Sequence, residues 1–253
     1  MAICSSERVV RYTARTLALA LSTLAVTGAG AAVGGMAPAA AGGAVAHAAP
    51  SPADSPSDLL LKGDSGPEVE ELQEQLRSLG YWVGPVDGEY GELTVQAVYA
   101  LQKTAGIARD GVVGPDTRAA LDDGTAPEAT ASGDVVEVDL DRQLLLVVSD
   151  GEVERVFNTS TGSGEMYESQ GELRRAVTPT GEYTVFRDVD GVDSGPLGDL
   201  YRPKYFNGGI AVHGYSSVPP YPASHGCVRV SNAAMDWLWD EGSLDYNSPV
   251  HVY

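Results

Sequence analysis

The hydrophobic period of this 253-residue chain changes once, and that change constrains the fold more than any other feature. Between residues 58 and 122, apolar residues recur at three- and four-residue steps, which is the spacing of one helix face. From residue 134 to 253 the period becomes two, with β-rich runs typical of strands. A stretch rich in Gly, Thr, Ala, Pro and Ser, residues 123–133, separates the two patterns. We therefore predict a small all-α domain and a mostly-β domain, and we hypothesise that this linker lets them move independently.

Three helices are predicted in the segment 58–122. The first lies between Pro67 and Gly80, residues that are favoured at a helix start and end. The second is predicted over 92–104, and a short third follows Gly114-Pro115. Their apolar stripes are usually core, so periodicity alone predicts only a small helical bundle. The stripe of the first helix comprises Val69, Leu72, Leu76 and Leu79.

The helical segment also contains an internal repeat. Residues 87–94 (DGEYGELT) match residues 110–117 (DGVVGPDT) at their Asp, two Gly and Thr positions. Each copy is typical of a turn that leads into a helix, because glycine tolerates positive φ and Gly or polar residues cap helices.

Strands and long loops dominate the second domain. The segment Asp150-Gly151 predicts a hairpin turn. One helix is predicted over 232–239, capped by Ser231. The longest predicted loops are 190–206 and 214–224. The predicted strands are 135–140, 144–149, 153–159, 183–187, 209–213, 227–230 and 250–253.

The N-terminal 48 residues have the pattern of a secretory signal peptide. Three arginines precede a Leu/Ala/Val-rich run, and Ala46-His47-Ala48 supplies small residues for cleavage. The alternative is an uncleaved membrane anchor, although the run is short and weakly hydrophobic. A Pro/Ser linker follows over 49–57. Removing residues 1–48 takes the formal net charge from −19 to −21 (13 basic and 34 acidic residues), which excludes nucleic acid as a partner.

Cysteine usage points to a functional thiol. After cleavage Cys227 is the only cysteine, so the mature chain has no internal disulfide. A buried structural thiol is the alternative, but free thiols outside the cell are prone to oxidation.

Two histidines lie within 15 residues of Cys227, in the segments His213-Gly214 and Ser224-His225-Gly226-Cys227. A thiol attacks as thiolate, and a neighbouring imidazole can take its proton. The glycines allow close backbone approach and expose N–H groups toward an oxyanion. Arg229, two residues after Cys227 on a predicted strand, shares its face.

Three other interpretations of this cluster were weighed. Zinc accepts such ligands, but no fourth ligand has an obvious spacing; Asp236 and His251 are unpatterned candidates. The histidines could be satisfied core residues, or Cys227 an inert strand residue. Two histidines near the only cysteine of the mature chain disfavour the first, and Gly226 with the polar Ser224-His225 disfavours the second.

Residues 58–122 resemble the three-helix peptidoglycan-binding module of the PG_binding_1 type. The resemblance rests on Gly63-Asp64-Ser65-Gly66, Leu72-Gln73, Leu79-Gly80-Tyr81, Asp87-Gly88, Gly91, Thr94 and Leu101-Gln102. It implies wall binding, and it places Tyr81, Asp87 and Tyr90 near the ligand groove.

Residues 135–253 resemble the L,D-transpeptidase catalytic domain of the YkuD type, a β-sandwich with one helix. The resemblance rests on residues 178–183 (TPTGEY), 209–214 (GIAVHG) and 224–229 (SHGCVR), followed by Asn232. It implies Cys227 as nucleophile, His213 as general base oriented by the Gly214 carbonyl, and an oxyanion site surrounded by His225, Gly226 and Cys227. Arg229, Asn232 and Ser224 would support the substrate pocket, and Tyr205 is a further candidate substrate-binding residue.

The resemblance also implies a reaction and its partners. An exported, wall-associated monomer would act on peptidoglycan stem peptides and glycan without cofactor or metal, forming 3→3 cross-links through a Cys227 thioester, with carbapenems as covalent inhibitors. Water as acceptor would make it an L,D-carboxypeptidase, and a decayed site would leave a non-catalytic wall-binding protein. A sortase lacks this motif, and papain-like hydrolases have the opposite Cys–His order. Only ten residues separate His213 from Ser224, fewer than is usual in the family, which leaves acceptor preference open.

Overall fold

The computed structural model describes residues 59–253. The predicted signal peptide (1–48) and the linker over 49–57 lie outside these residues. No helix in the described part of the chain is long and apolar enough to cross a membrane.

The helical region contains helices α1 (Pro67–Ser78), α2 (Glu92–Ala105) and α3 (Pro115–Asp122) within the described residues. Pro67 and Pro115 occupy the first helical turn, where a missing N–H costs nothing. Helix α2 ends at Gly106, whose φ of 68° is left-handed and favours glycine.

Buried glutamines explain the internal repeat. The Gln73 Nε2 donates to Asp87, Thr94 and a main-chain carbonyl of the first turn. The Gln102 Nε2 makes the corresponding bonds to Asp110, Thr117 and a carbonyl of the second turn. Each repeat is therefore a turn closed around a buried amide, and the shared Asp and Thr are its hydrogen-bond partners.

The second domain has two five-stranded sheets. The first sheet comprises β1 (Val135–Asp139), β2 (Leu144–Ser149), β3 (Glu152–Asn158), β6 (Gly181–Thr184) and β12 (Pro249–Val252). Its strand order is β3-β2-β1-β12-β6. The second comprises β7 (Arg187–Asp188), β8 (Val192–Gly195), β9 (Gly198–Asn207), β10 (Ile210–Tyr215) and β11 (Val228–Ser231). Its strand order is β11-β10-β9-β7, with β8 paired to β9.

A hairpin and a helix complete this domain. The hairpin consists of β4 (Met166–Ser169) and β5 (Glu172–Arg175). Helix α4 (Asn232–Asp240) follows β11 directly, and its cap is the Ser231 side chain, which accepts from Ala234 N.

A common core joins the two sheets and α4. It includes Val136 and Val250 from the first sheet, Val212 and Val228 from the second, and Met235 from α4, all of them fully buried. Burying each such side chain contributes about 1.5–3 kcal/mol.

A second apolar core spans both domains, so the hypothesis of independent motion is wrong for this structure. Leu144, Leu146 and Val156 of the catalytic domain pack in one cluster with the residues of α1 and α2. Main-chain bonds tie Val156 to Gly80 (2.9 Å) and Trp82 (3.0 Å). Residues 130 and 131 of the 123–133 linker donate three hydrogen bonds to the carboxylate of Glu137, a fully buried residue of β1. The composition of the linker predicted that it is mobile, but composition does not show that its residues bind Glu137 outside the linker.

Two segments differ from the sequence prediction. The predicted loop 190–206 is the β8–β9 hairpin, and the predicted strand 183–187 is divided between β6 and β7, which lie in different sheets. The β4–β5 hairpin was not predicted, since its strands are largely exposed and charged. Its turn residues Gln170 and Gly171 have φ of 55° and 79°, as a tight hairpin turn requires.

Candidate active site

Strands β10 and β11 bring the cysteine–histidine segments together. They pair in parallel, with His213 opposite Arg229 and Val212 opposite Val228. Cys227 precedes β11 directly, so continuing this register places it opposite Ala211. Because alternate residues of a strand share a face, Cys227, Arg229 and His213 lie on one face of the sheet.

The environment of His213 fixes its protonation. Its side chain is 1% exposed, and Nδ1 lies 2.9 Å from the Gly214 carbonyl oxygen. A carbonyl can only accept, so Nδ1 carries the proton and Nε2 has a free lone pair. Burial, assisted by the positive charge of Arg229, lowers the pKa of His213 to about 4, against the weaker effect of the Gly214 carbonyl. His213 is therefore a neutral imidazole at neutral pH.

Cys227 is half-buried, with Sγ 3.8 Å from the Gly209 carbonyl. Burial raises the pKa of this thiol, while a backbone hydrogen bond from Ala211 and the charge of Arg229 act in the opposite direction. At neutral pH the cysteine is therefore a thiol and the histidine a neutral imidazole, rather than a thiolate and an imidazolium.

A tight turn presents Cys227. The Ser224 hydroxyl accepts from Gly226 N (3.0 Å) and donates to the Cys227 carbonyl (2.5 Å). Gly226 has φ of 138°, and a Cβ there would lie 2.8 Å from the Val177 carbonyl oxygen. Ser224 was predicted to bind substrate, but it is 1% exposed and both hydrogen bonds of its hydroxyl lie within this turn. In this structure its hydroxyl stabilises the turn.

Arg229 borders the pair on the side of the 214–224 loop. It donates from Nη1 to the Ala223 carbonyl (3.1 Å), and its guanidinium lies 4.1 Å from the ring centre of Tyr215. Among the described residues, its buried Nε has no acceptor. The positive charge of Arg229 contributes to lowering the pKa of His213 and opposes the rise in the pKa of Cys227.

Gly214, Asn232 and His225 occupy distinct positions. A Cβ at Gly214 would lie 2.7 Å from both the Asn232 Oδ1 and a Tyr201 ring carbon, so glycine is required there. Asn232 thus packs on the strand that carries His213. His225 is exposed, and its ring contacts that of Tyr167 on β4 at 4.6 Å.

A cavity of about 420 Å³ opens at Cys227. Its walls are the turns of the β4–β5 and β8–β9 hairpins and the Gly208-Gly209 turn. Tyr205, a predicted substrate-binding residue, lines it and donates to Asp193 (2.7 Å). Arg187 pairs with the same carboxylate (2.6 Å).

Sequence reasoning missed the charged lining of this cavity, which comprises Arg174, Arg187 and Asp193. No short motif joins these residues, because they come from separate hairpins. The adjacent arginines Arg174 and Arg175 and the Gly/Pro-containing segment 190–206 were the available signals.

The candidate groove residues of the helical domain are placed differently from the prediction. Tyr81 and Tyr90 are each 1% exposed, and their hydroxyls donate to the Thr125 and Gly111 carbonyls. They are core residues, because a ring with a satisfied hydroxyl buries well. Asp87 is exposed, and its carboxylate accepts from Gln73.

The zinc alternative finds no support in residues 59–253, which hold no group of three or more His, Cys, Asp or Glu side chains suited to a metal ion. Asp236 instead accepts from Tyr201 and Arg202, and His251 faces Glu182 at 3.3 Å.

Comparison with known proteins agrees with this geometry. Residues 133–252 match the L,D-transpeptidase catalytic domain (YkuD) family, and residues 65–121 match the peptidoglycan binding domain (PG_binding_1) family. A crystal structure of an L,D-transpeptidase (residues 123–326) from Xylanimonas cellulosilytica is 54% identical, with a TM-score of 0.76, and the match covers 79% of this chain and 100% of that one.

Curated relatives match over shorter stretches. A probable N-acetylmuramoyl-L-alanine amidase of Bacillus licheniformis is 47% identical over 77 residues, which is 30% of this chain and 21% of the relative. A second amidase of that organism, CwlL, is 51% identical over 65 residues, or 25% of this chain and 18% of the relative. The chain thus spans about a fifth of the length of these relatives. On the catalytic-domain match and the Xylanimonas structure, the chain belongs to the L,D-transpeptidase family and also has a peptidoglycan-binding domain.

Proposed function

We propose that this chain is an exported L,D-transpeptidase that forms 3→3 cross-links in peptidoglycan through a thioester on Cys227. The observation that carries the proposal is the parallel pairing of β10 and β11, which puts Cys227 and the buried, neutral His213 on one face of a sheet beside an open cavity. The family membership supports the same chemistry.

The first half-reaction would be acylation. The thiol proton passes to His213 Nε2 as sulfur attacks the carbonyl carbon between residues three and four of a donor tetrapeptide. The imidazolium then gives that proton to the leaving amine, and D-Ala departs. Because Cys227 starts as a thiol rather than a thiolate, its proton must move to His213 as the sulfur attacks.

The oxyanion of that step needs N–H donors. The Gly226 amide is already bonded to Ser224 Oγ, so we assign the role to the neighbouring amides of His225 and Cys227. The positive charge of Arg229 on the same face stabilises the sulfur as it loses its proton.

The second half-reaction would transfer the acyl group. An amine of a neighbouring stem attacks the thioester, His213 takes its proton, and the sulfur leaves and is reprotonated. One amide bond is broken and one is formed over the cycle. Water in place of the amine would release a tripeptide, which is the L,D-carboxypeptidase outcome.

The cavity beside Cys227 is the proposed donor site. Arg174 and Arg187 at its wall, which pair with the exposed Glu172 and with Asp193, would offer positive charge to the carboxylates of a stem peptide. A carbapenem would enter the same site and acylate the same sulfur, since its strained amide resembles the donor bond.

Wall attachment and export complete the proposal. The peptidoglycan-binding domain would hold the enzyme on its polymeric substrate, with exposed Asp87 as a candidate contact. The predicted signal peptide would deliver the mature chain as a monomer to the cell wall.

Product analysis tests the function. The mature chain (residues 49–253) and its Cys227→Ala variant are incubated with disaccharide-tetrapeptide, and muropeptides are separated and sequenced by mass spectrometry. We expect 3→3 dimers from the wild type and none from the variant. Tripeptide without dimer would replace transpeptidation by carboxypeptidation, and unchanged substrate with folded protein would favour a non-catalytic wall-binding protein.

A further inference from the structure

Helix α2 buries two polar side chains that find their partners in the catalytic domain. Gln96 and Lys103 are 6% and 1% exposed, although both belong to the peptidoglycan-binding region. Polar groups buried this deeply are costly unless they are hydrogen-bonded, so their partners are strongly constrained in position.

Lys103 anchors the chain that leads from β3 into the active site. Its Nζ donates to the Gln143 carbonyl (2.8 Å), the Thr159 carbonyl (2.9 Å) and the Asn158 side chain. Burial lowers the pKa of Lys103 to about 6. The three oxygen acceptors counter that effect, because only the protonated amine has three N–H donors.

Gln96 anchors the loop that leads to Cys227. Its Nε2 donates to the Val218 carbonyl (3.1 Å) and, within the helix, to Glu92 Oε1 (3.2 Å), and its Oε1 accepts from Asn158 Nδ2. Asn158 Nδ2 also reaches the Val218 carbonyl (3.2 Å). A second contact from the helical domain, Arg109 to the Pro220 carbonyl (3.3 Å), supports the same loop.

These two anchored segments hold the catalytic turn. Ser160 pairs with Arg229 through both main-chain bonds (3.0 and 3.2 Å), and the Thr159 hydroxyl donates to the Arg229 carbonyl (2.7 Å). The Thr161 carbonyl accepts from the amides of Ala223 and Ser224 at 3.0 and 2.9 Å. Cys227 thus lies between residues that segment 159–161 fixes on both sides.

We infer that helix α2 is part of the active-site support, with Gln96 and Lys103 as positioning residues that hold segments 158–161 and 216–224 in the arrangement that presents Cys227. The inference rests on the proposed role of Cys227. It makes the peptidoglycan-binding domain a structural requirement for acylation in addition to an attachment device. Neither helix α2 nor the segments that it holds line the donor cavity, whose walls are the two hairpins and the Gly208-Gly209 turn.

The test compares two glutamines of the same helix in the mature chain. Gln96→Ala removes the bonds to Val218 and Asn158, together with one bond to Glu92 of the same helix. Gln102→Ala also removes a buried amide, but its partners, Asp110, Val112, Thr117 and Gly111, all lie in the helical domain. Amide hydrogen exchange over 216–230 and the kinetics of Cys227 acylation by disaccharide-tetrapeptide are measured for both, below their unfolding temperatures.

We expect Gln96→Ala to raise exchange over 216–230 and to lower the acylation rate constant, each about tenfold, with the donor KM unchanged. Gln102→Ala should raise exchange over 106–117 only. If Gln96→Ala does not fold, Gln96→Glu, which keeps the acceptor for Asn158 but loses the donor to Val218, takes its place. Equal exchange over 216–230 and equal acylation in both variants would overturn the inference. If the wild type is not acylated, the proposed function fails, and the exchange comparison still decides the role of α2.

Discussion

The two sides of Cys227 are built in different ways. On one side the Ser224–Cys227 turn, segment 158–161 and helix α2 form a buried polar network in which almost every hydroxyl and amide has an intramolecular partner. On the other side the β4–β5 and β8–β9 hairpins are exposed and carry charged and apolar residues such as Arg174, Leu173 (70% exposed) and Leu197 (49% exposed). We expect the buried side to set the geometry of Cys227 and the open side to contact the substrate.

The largest expected effect concerns the base on the buried side. His213→Gln removes the lone pair that accepts the thiol proton, so the acylation rate constant should fall by about 10²–10⁴. His251→Gln, on β12 and in contact with Glu182, Thr130 and the Tyr253 ring, should leave it unchanged. Stopped-flow measurement of the acylation rate constant distinguishes these results. Comparable losses in both variants would show that His213 is not the base.

The next effect concerns the glycine that shapes the turn. Gly226→Ala places a Cβ 2.8 Å from a backbone carbonyl at φ of 138°, which should cost about 3 kcal/mol in the free energy of unfolding. Gly164→Ala has positive φ (77°) but open space, and should cost only about 1 kcal/mol. Urea unfolding measures both, and equal costs would show that the Val177 contact is unimportant.

A pH effect of similar size follows from His213. Its pKa is lowered from 6.5 to about 4 on folding, so the unfolded chain binds the proton more readily between these values. The contribution to stability is complete above pH 6.5 and is lost as the pH falls toward 4, on the order of 3 kcal/mol. The free energy of unfolding at pH 7.5 and 4.5 should therefore differ less in His213→Gln than in the wild type. An identical pH dependence would contradict the buried, neutral imidazole.

The smallest effect belongs to the open side. Arg187→Gln breaks the contacts with Asp193 and Tyr205 at the cavity wall, so the donor KM should rise about fivefold with little change in kcat or stability. Arg155→Gln, on β3 and outside the cavity lining, should change neither constant. A large drop in kcat with constant KM would show that the open side also positions Cys227.

The same contrast explains what the sequence could predict. The His213 and Ser224–Arg229 motifs lie close together in the sequence and on or next to two adjacent strands, so their residues could be identified from the sequence. The hydrophobic period likewise predicted helices α1 to α4 and most strands of the first sheet. The cavity walls come from hairpins distant in sequence, whose exposed strands lack a hydrophobic alternation. Tyr81 and Tyr90 were predicted to lie near the ligand groove, but a motif does not show which side chains face inward, and both are buried. The burial of Gln96 and Lys103 depends on tertiary contacts with the second domain, which periodicity along one helix does not reveal.

The most direct measurement of the central claim is the mass of the intact mature chain after brief incubation with disaccharide-tetrapeptide, followed by proteolysis to locate the modification. We expect an adduct whose mass equals that of the donor minus D-Ala, carried by the peptide that contains Cys227. It should be absent from Cys227→Ala and form far more slowly in His213→Gln. An adduct on another residue, or product formation by Cys227→Ala, would contradict the central claim.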